Sequence, residues 1–151
     1  MHAWIGGGLL AACIGSAGMA LAQGSVVAER RAGLDRMQGH LDAIAAVVQS
    51  RGDQRQIAAR VEEMVLFFRS MPDRFPAGSL PPAVPQGTQQ GQTRALPAID
   101  SNRATLAERS RDMVEALGTL RAAAEAGGVT PDLLRSTAAT CTACHRSFRA
   151  R

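Results

Sequence analysis

The sequence has no lysine and no tyrosine, and its aromatic side chains are only four Phe and one Trp. With so few rings in 151 residues, Ala, Leu, Val and Met must fill any core, which suits helices packing closely on one another. Period-two alternation of apolar and polar residues is missing, so no strand pattern competes for these segments. No internal repeat is present. Massed charge is missing as well: the 17 basic side chains, all Arg, are scattered among 13 acids and leave a net charge of +4. That scatter argues against nucleic acid, which calls for arginines concentrated on one segment. The modest positive charge instead favours encounters with acidic partners. No acid–base pair stands out, so nothing marks an enzyme.

Cysteine is scarce too, and the three present fall in two places, Cys13 and the pair Cys141 and Cys144. Cys13 lies in a stretch, Ile5 to Leu21, that is apolar or small throughout. Five glycines make it a poor membrane-spanning helix. Ala20-Leu21-Ala22 gives the small-x-small pattern read by a signal peptidase, although only His2 and the amino terminus supply an n-region charge. Residues 1–22 are therefore expected to be a signal peptide and residues 23–151 a mature periplasmic domain starting at Gln23. In a rival reading Leu10-Ala11-Ala12-Cys13 acts as a lipobox, and Cys13 carries a lipid anchor. Both readings put the folded domain outside the cytoplasm. A disulfide between Cys141 and Cys144 would close too small a loop to be of structural use.

What the chain does have is helical periodicity in four segments. Leu34, Met37, Leu41, Ile44 and Val48 make one apolar stripe, closed by Arg51-Gly52-Asp53 with Asp53 offered as the next N-cap. Ile57, Val61, Met64, Phe68 and Met71 make the second. Residues 72–97, rich in Pro, Gly, Gln and Ser, read as a long crossing loop. The third helix is expected to start near Ala98 or Asp100, to turn Leu106, Met113, Leu117 and Leu120 inward, and to end at Gly127-Gly128. The fourth opens with Thr130 as N-cap and Pro131 at its first position, and carries Leu134, Ala138, Cys141, His145 and Phe148. Four such helices predict an all-α fold, an antiparallel four-helix bundle with one longer connection and room for a cofactor inside.

Cys141-Thr142-Ala143-Cys144-His145 is a Cys-x-x-Cys-His sequence, the attachment signal of c-type haem. On a helix, residues i, i+3 and i+4 share a face. Both thiols can then form thioethers to one porphyrin while His145 reaches its iron as proximal ligand. A thiol-redox pair would sit near a βαβ pattern, which is absent, and a zinc site would need four ligands where the mature chain has only His40 besides.

Three further stretches make a resemblance specific. The C-terminal run from Thr140 to Arg149, the segment from Met71 to Gly78 and the segment from Thr93 to Ile99 resemble, in order and spacing, the haem-binding end, the loop after the second helix and the start of the third helix of the cytochrome c′ family. The resemblance covers about residues 25 to 151. It implies a four-helix bundle holding one covalent haem c, acting in electron transport with a redox partner protein, and often a homodimer. It aligns Arg30 with the family's characteristic arginine and puts Leu34 on the open side of the iron. Relatives with a non-ligand there keep a five-coordinate iron that takes up nitric oxide or carbon monoxide. The alternative is a low-spin electron carrier with Met37, one turn further along the stripe, as sixth ligand. Phe148 is expected to cover a haem face. Arg149, one turn beyond His145, is placed to bond a ligand, a propionate or its own helix carbonyls.

Overall fold

A computed structural model describes residues 15–80 and 93–151, with side chains from Gly24 onward. Most of the expected leader, Cys13 included, lies outside the described residues. The chain forms α1 (Gly15–Gln49), α2 (Gln56–Arg69), a 3-10 turn (Pro72–Arg74), a short α3 (Ala98–Ser101), α4 (Arg103–Glu125) and α5 (Pro131–Phe148). Among the described residues there is no strand, and no helix is long and apolar enough to cross a membrane. The four long helices pack in a closed ring, α1 on α2, α2 on α4, α4 on α5 and α5 on α1. This is the antiparallel four-helix bundle.

The stripes become the core. Met37, Leu41 and Ile44 of α1 are buried, as are Ile57, Val61, Met64 and Phe68 of α2, and Leu106, Met113, Leu117 and Leu120 of α4. Burying each of the larger aliphatic side chains contributes about 1.5–3 kcal/mol. Because α2 touches both α1 and α4, it buries Val65 and Phe67 as well. Gly33 lets α1 approach: a Cβ there would stand 2.3 Å from Cε2 of Phe67. α5 differs, since Leu134, Ala138 and Cys141 are only half-buried and His145 is exposed. Its stripe faces a cavity as well as a neighbouring helix.

Helix ends follow local chemistry. At the end of α4, Gly127 adopts φ 69°, its N–H donates to Ala124 O (3.1 Å), and Gly128 N–H donates to Ala123 O (2.8 Å). This is a Schellman motif with glycine in the left-handed position. The same pair of bonds ends α1, Arg51 N–H to Val48 O (3.2 Å) and Gly52 N–H to Val47 O (2.9 Å), but here Arg51 takes the left-handed φ of 53°. Thr130 caps α5 as expected, its Oγ1 accepting from Leu133 N–H at 3.2 Å.

Two expectations are corrected. Asp53 does not cap α2: its carboxylate accepts from the N–H and the guanidinium of Arg55, both at 3.0 Å, and closes a turn two residues early. The third helix starts at Ala98 but breaks at Asn102 (φ −129°, ψ 39°), so that α3 and α4 are separate. Asn102 sustains the break by donating its side-chain amide to Ala98 O (2.8 Å) and its backbone N–H to Ile99 O (3.1 Å).

Each end of the bundle is tied. At one end the Gln54 amide bonds both backbone groups of Val129, donating to its carbonyl (3.1 Å) and accepting from its N–H (2.8 Å). At the other, the end of the crossing loop pairs with the end of α5. Leu96 N–H donates to Phe148 O (2.9 Å), Ala150 N–H to Arg94 O (2.8 Å), and the Arg94 guanidinium also to Ala150 O (2.8 Å). Arg30, only 2% exposed, closes this end. Its guanidinium stacks 4.3 Å from the centre of the Phe75 ring and donates to Arg74 O (3.0 Å), Ser79 Oγ (3.3 Å) and Thr93 Oγ1 (2.9 Å).

Candidate functional site

The tied end that holds Arg30 encloses a cavity of about 530 Å³. It lies between the middle of α1, the N-terminal half of α4 and the C-terminal ends of α2 and α5. Cys141, Cys144, His145, Phe148 and Arg149 come from α5 and its cap; Leu34, Met37 and Leu41 come from α1. Phe68, Met71, Phe75, Leu106 and Met113 fill in the apolar lining. Every site residue expected from the sequence thus reaches one cavity, and His40 does not: its Nε2 pairs with Glu63 of α2 at 2.9 Å. Arg30 also borders the cavity, yet its guanidinium donors bond Arg74, Ser79 and Thr93, so its first role is to fix the wall.

The electrostatics suit a metal-bearing group. No disulfide joins Cys141 and Cys144, and burial pushes both thiols up, with the Cys141 neighbour adding to the rise at Cys144 and Arg109 opposing it. The His145 imidazole is held below its ordinary value, first by desolvation and then by Arg149 and Arg94. The lowering favours the neutral imidazole, the form with a nitrogen lone pair available to a metal. Among the described residues no three His, Cys, Asp or Glu converge as ligands of a bare ion.

The rim shows what else the cavity accepts. Five arginines, Arg30, Arg31, Arg94, Arg109 and Arg149, line it against one acid, Asp35. Nε of Arg94 and Nε of Arg109 are buried without a hydrogen-bond partner. A buried orphan donor costs about 1–3 kcal/mol, so these two are sites for acceptor oxygens. An apolar slot with a cationic rim, two thiols and a neutral imidazole on one helix face fits a haem, whose ring is apolar and whose two propionates are anionic.

The sequence profile of the cytochrome c′ family matches residues 25–149. The chain belongs to the cytochrome c′ family. Solved structures agree: cytochrome c′ of Alcaligenes xylosoxidans is 27% identical at a TM-score of 0.66, covering 85% of this chain and 96% of that one. Cytochrome c′ of Thermochromatium tepidum, at 24% identity, superposes at 0.68 over 85% and 97% of the two chains, and that of Rubrivivax gelatinosus, at 20%, at 0.66 over 85% and 97%. No curated protein sequence matches. As a family member the chain is a c-type cytochrome with one covalent haem c and its iron, and Cys141 and Cys144 stand in the attachment motif.

Some of this cytochrome c′ site escaped the sequence. Arg109 and Ser110 are one helical turn after Leu106 and one before Met113, on the flank of a stripe, which could have placed them at the cavity. Arg94 had no periodicity to announce it. Only the pairing of residues 94–96 with 148–150 brings it to the rim.

Proposed function

We propose that this cytochrome c′ is exported and mono-haem, with His145 as the proximal ligand and a distal side that binds nitric oxide or carbon monoxide and exchanges electrons with a partner protein. When bound, the haem supplies an iron that changes oxidation state and accepts a gas on its open face. The observation that carries the reading is one cavity with Cys141, Cys144 and His145 on one wall and the non-ligating Leu34 on the other. Leu34 offers methyl groups and no lone pair, so it excludes water without occupying the iron. Phe148, only 6% exposed, ends the attachment helix and keeps that wall dry. Arg94, Arg109 and Arg149 would hold the haem's carboxylates. A solved relative described as a nitrosyl complex of an Alcaligenes xylosoxidans cytochrome c′ variant, and another described by ligand-controlled dimer dissociation, are in keeping with gas binding and with a homodimer.

Met37 is the alternative sixth ligand, because it lines the same cavity from the next turn of α1 and is only 4% exposed. Absorption and resonance Raman spectra of the ferrous protein decide between them. A high-spin wild type, turned low-spin by Leu34→Met and unaffected by Met37→Leu, supports the open site. A low-spin wild type that Met37→Leu makes high-spin assigns the ligand to Met37 and the function to electron transfer alone. The reading also includes cleavage before Gln23 and a soluble periplasmic domain. Intact mass after expression with the native leader is expected to start at Gln23, and a diacylglyceryl group on Cys13 in the membrane fraction would overturn it.

A further inference from the structure

Every Arg, Asp and Glu of the chain lies among the described residues, so the charge of these side chains can be mapped. From Pro76 to Pro97, and again from Leu133 to Arg151, there is no acidic residue. The first stretch carries Arg94; the second carries Arg135 near its start and Arg146, Arg149 and Arg151 at its end. The antiparallel bridge between Ala95 and Arg149 folds the two stretches onto each other. Arg94, Arg146, Arg149 and Arg151 are thereby gathered beside the exposed His145, and none of the four has an ion-pair partner. Elsewhere charge is balanced in number, because the other 13 of the 17 arginines share the rest of the molecule with all 13 acids, and Arg55, Arg103, Arg109, Arg121 and Arg135 are in ion pairs with them. A net charge of only +4 thus conceals a one-signed face.

We propose that this arginine face at the end of α5 is the surface through which the cytochrome exchanges electrons, and that it docks an acidic face of a soluble redox protein. The proposal rests on the haem reading above and adds the place and the partner's chemistry. Two propionates cannot neutralise it, because five arginines already line the cavity and Arg146 and Arg151 lie outside that lining. Such a concentration of one sign steers an oppositely charged partner and raises association rates by about 10–1000-fold at low salt. It also sits where the path to the iron is shortest in covalent terms, one residue from His145. A protein partner is favoured over a lipid surface because the face has no exposed large apolar side chain to insert. The one such residue among those described is Leu66, on α2.

The test compares two charge reversals of equal size on the haem-loaded protein, Arg146→Glu/Arg151→Glu on the face and Arg51→Glu/Arg60→Glu away from it. Stopped-flow oxidation by hexacyanoferrate(III) and by a cationic cobalt(III) phenanthroline complex, and reaction with an acidic flavodoxin, are followed from about 10 mM to about 1 M salt, where screening is nearly complete. At low salt the face variant is expected to react about tenfold more slowly with hexacyanoferrate and with the flavodoxin and faster with the cobalt complex, while the distant variant stays near wild type. All three converge at high salt, with unchanged Soret bands and melting. Equal slowing of both variants would show that only net charge matters and would overturn the assignment of a face. Wild-type binding to phosphatidylglycerol vesicles that the face variant loses, with flavodoxin rates unaffected, would make the face a membrane contact instead. Failure of the haem reading is seen separately, as wild-type protein without a Soret band.

Discussion

Arg51 is the one non-glycine residue among those described with a positive φ, 53°, and Gly52 stands next to it. The chain therefore ends α1 with an arginine in the place where glycine would carry no steric penalty, about 1–2 kcal/mol for an L-residue. Arg51→Gly is expected to raise stability by about 1 kcal/mol, since glycine's greater freedom in the unfolded chain offsets only part of the relief. Urea denaturation with an unchanged slope measures it, and a loss of stability would mean that the arginine side chain contributes more than its backbone conformation costs. The sequence showed that Arg51-Gly52-Asp53 ends a helix but not which of the first two residues turns left-handed. That choice depends on register: the bonds run to Val47 and Val48, one residue earlier than a glycine-centred turn would need.

Among the elements, α1 and α2 come closest at Gly33, where the Phe67 ring fills the space of a missing side chain. That ring has little room to move, for Arg74 covers one face at 4.2 Å and Phe68 meets it edge-on at 5.4 Å. Gly33→Ala improves helix propensity by about 1 kcal/mol but overfills the contact by about 1–3 kcal/mol. The expected outcome is a net loss of about 1 kcal/mol in thermal or urea unfolding together with faster carbon monoxide binding, because Leu34 follows Gly33 and moves with it. A more stable variant with unchanged binding would show that Phe67 can step aside. Helix α2, whose stripe is buried from Ile57 to Phe68, and α5, whose Thr130-Pro131 start is an N-cap followed by proline, were legible from pattern alone. The break at Asn102 was not, since it depends on a side-chain bond to Ala98 that leaves no mark on periodicity. Nor was the buried Thr137, which bonds its own helix through Leu133 O at 2.9 Å and so passes as apolar.

For the whole molecule, a haem in the proposed site would be part of the core, because the bundle holds a cavity of about 530 Å³ whose lining, inside its arginine rim, is largely apolar. Cys141→Ala/Cys144→Ala is expected to give largely colourless protein, destabilised by at least about 3 kcal/mol, or roughly 10 °C in melting, through lost linkage. Calorimetry beside the absorption spectrum checks both, and a haem-free double variant melting like the wild type would refute the cofactor's structural share. The Cys-x-x-Cys-His motif told what the cavity holds; where the cavity lies came only with the fold, which sets α1 against α5. Those two walls are also gauged against each other. Thr93 takes a bond from Arg30 of α1, and two residues later Ala95 is bridged to Arg149 at the end of α5. Three consecutive residues ahead of α3 thus act like the screw of a pair of callipers, setting the width of the cavity. The setting is fixed by backbone length, so a guest that pushes one jaw outward must stretch the thread or drag the other jaw with it.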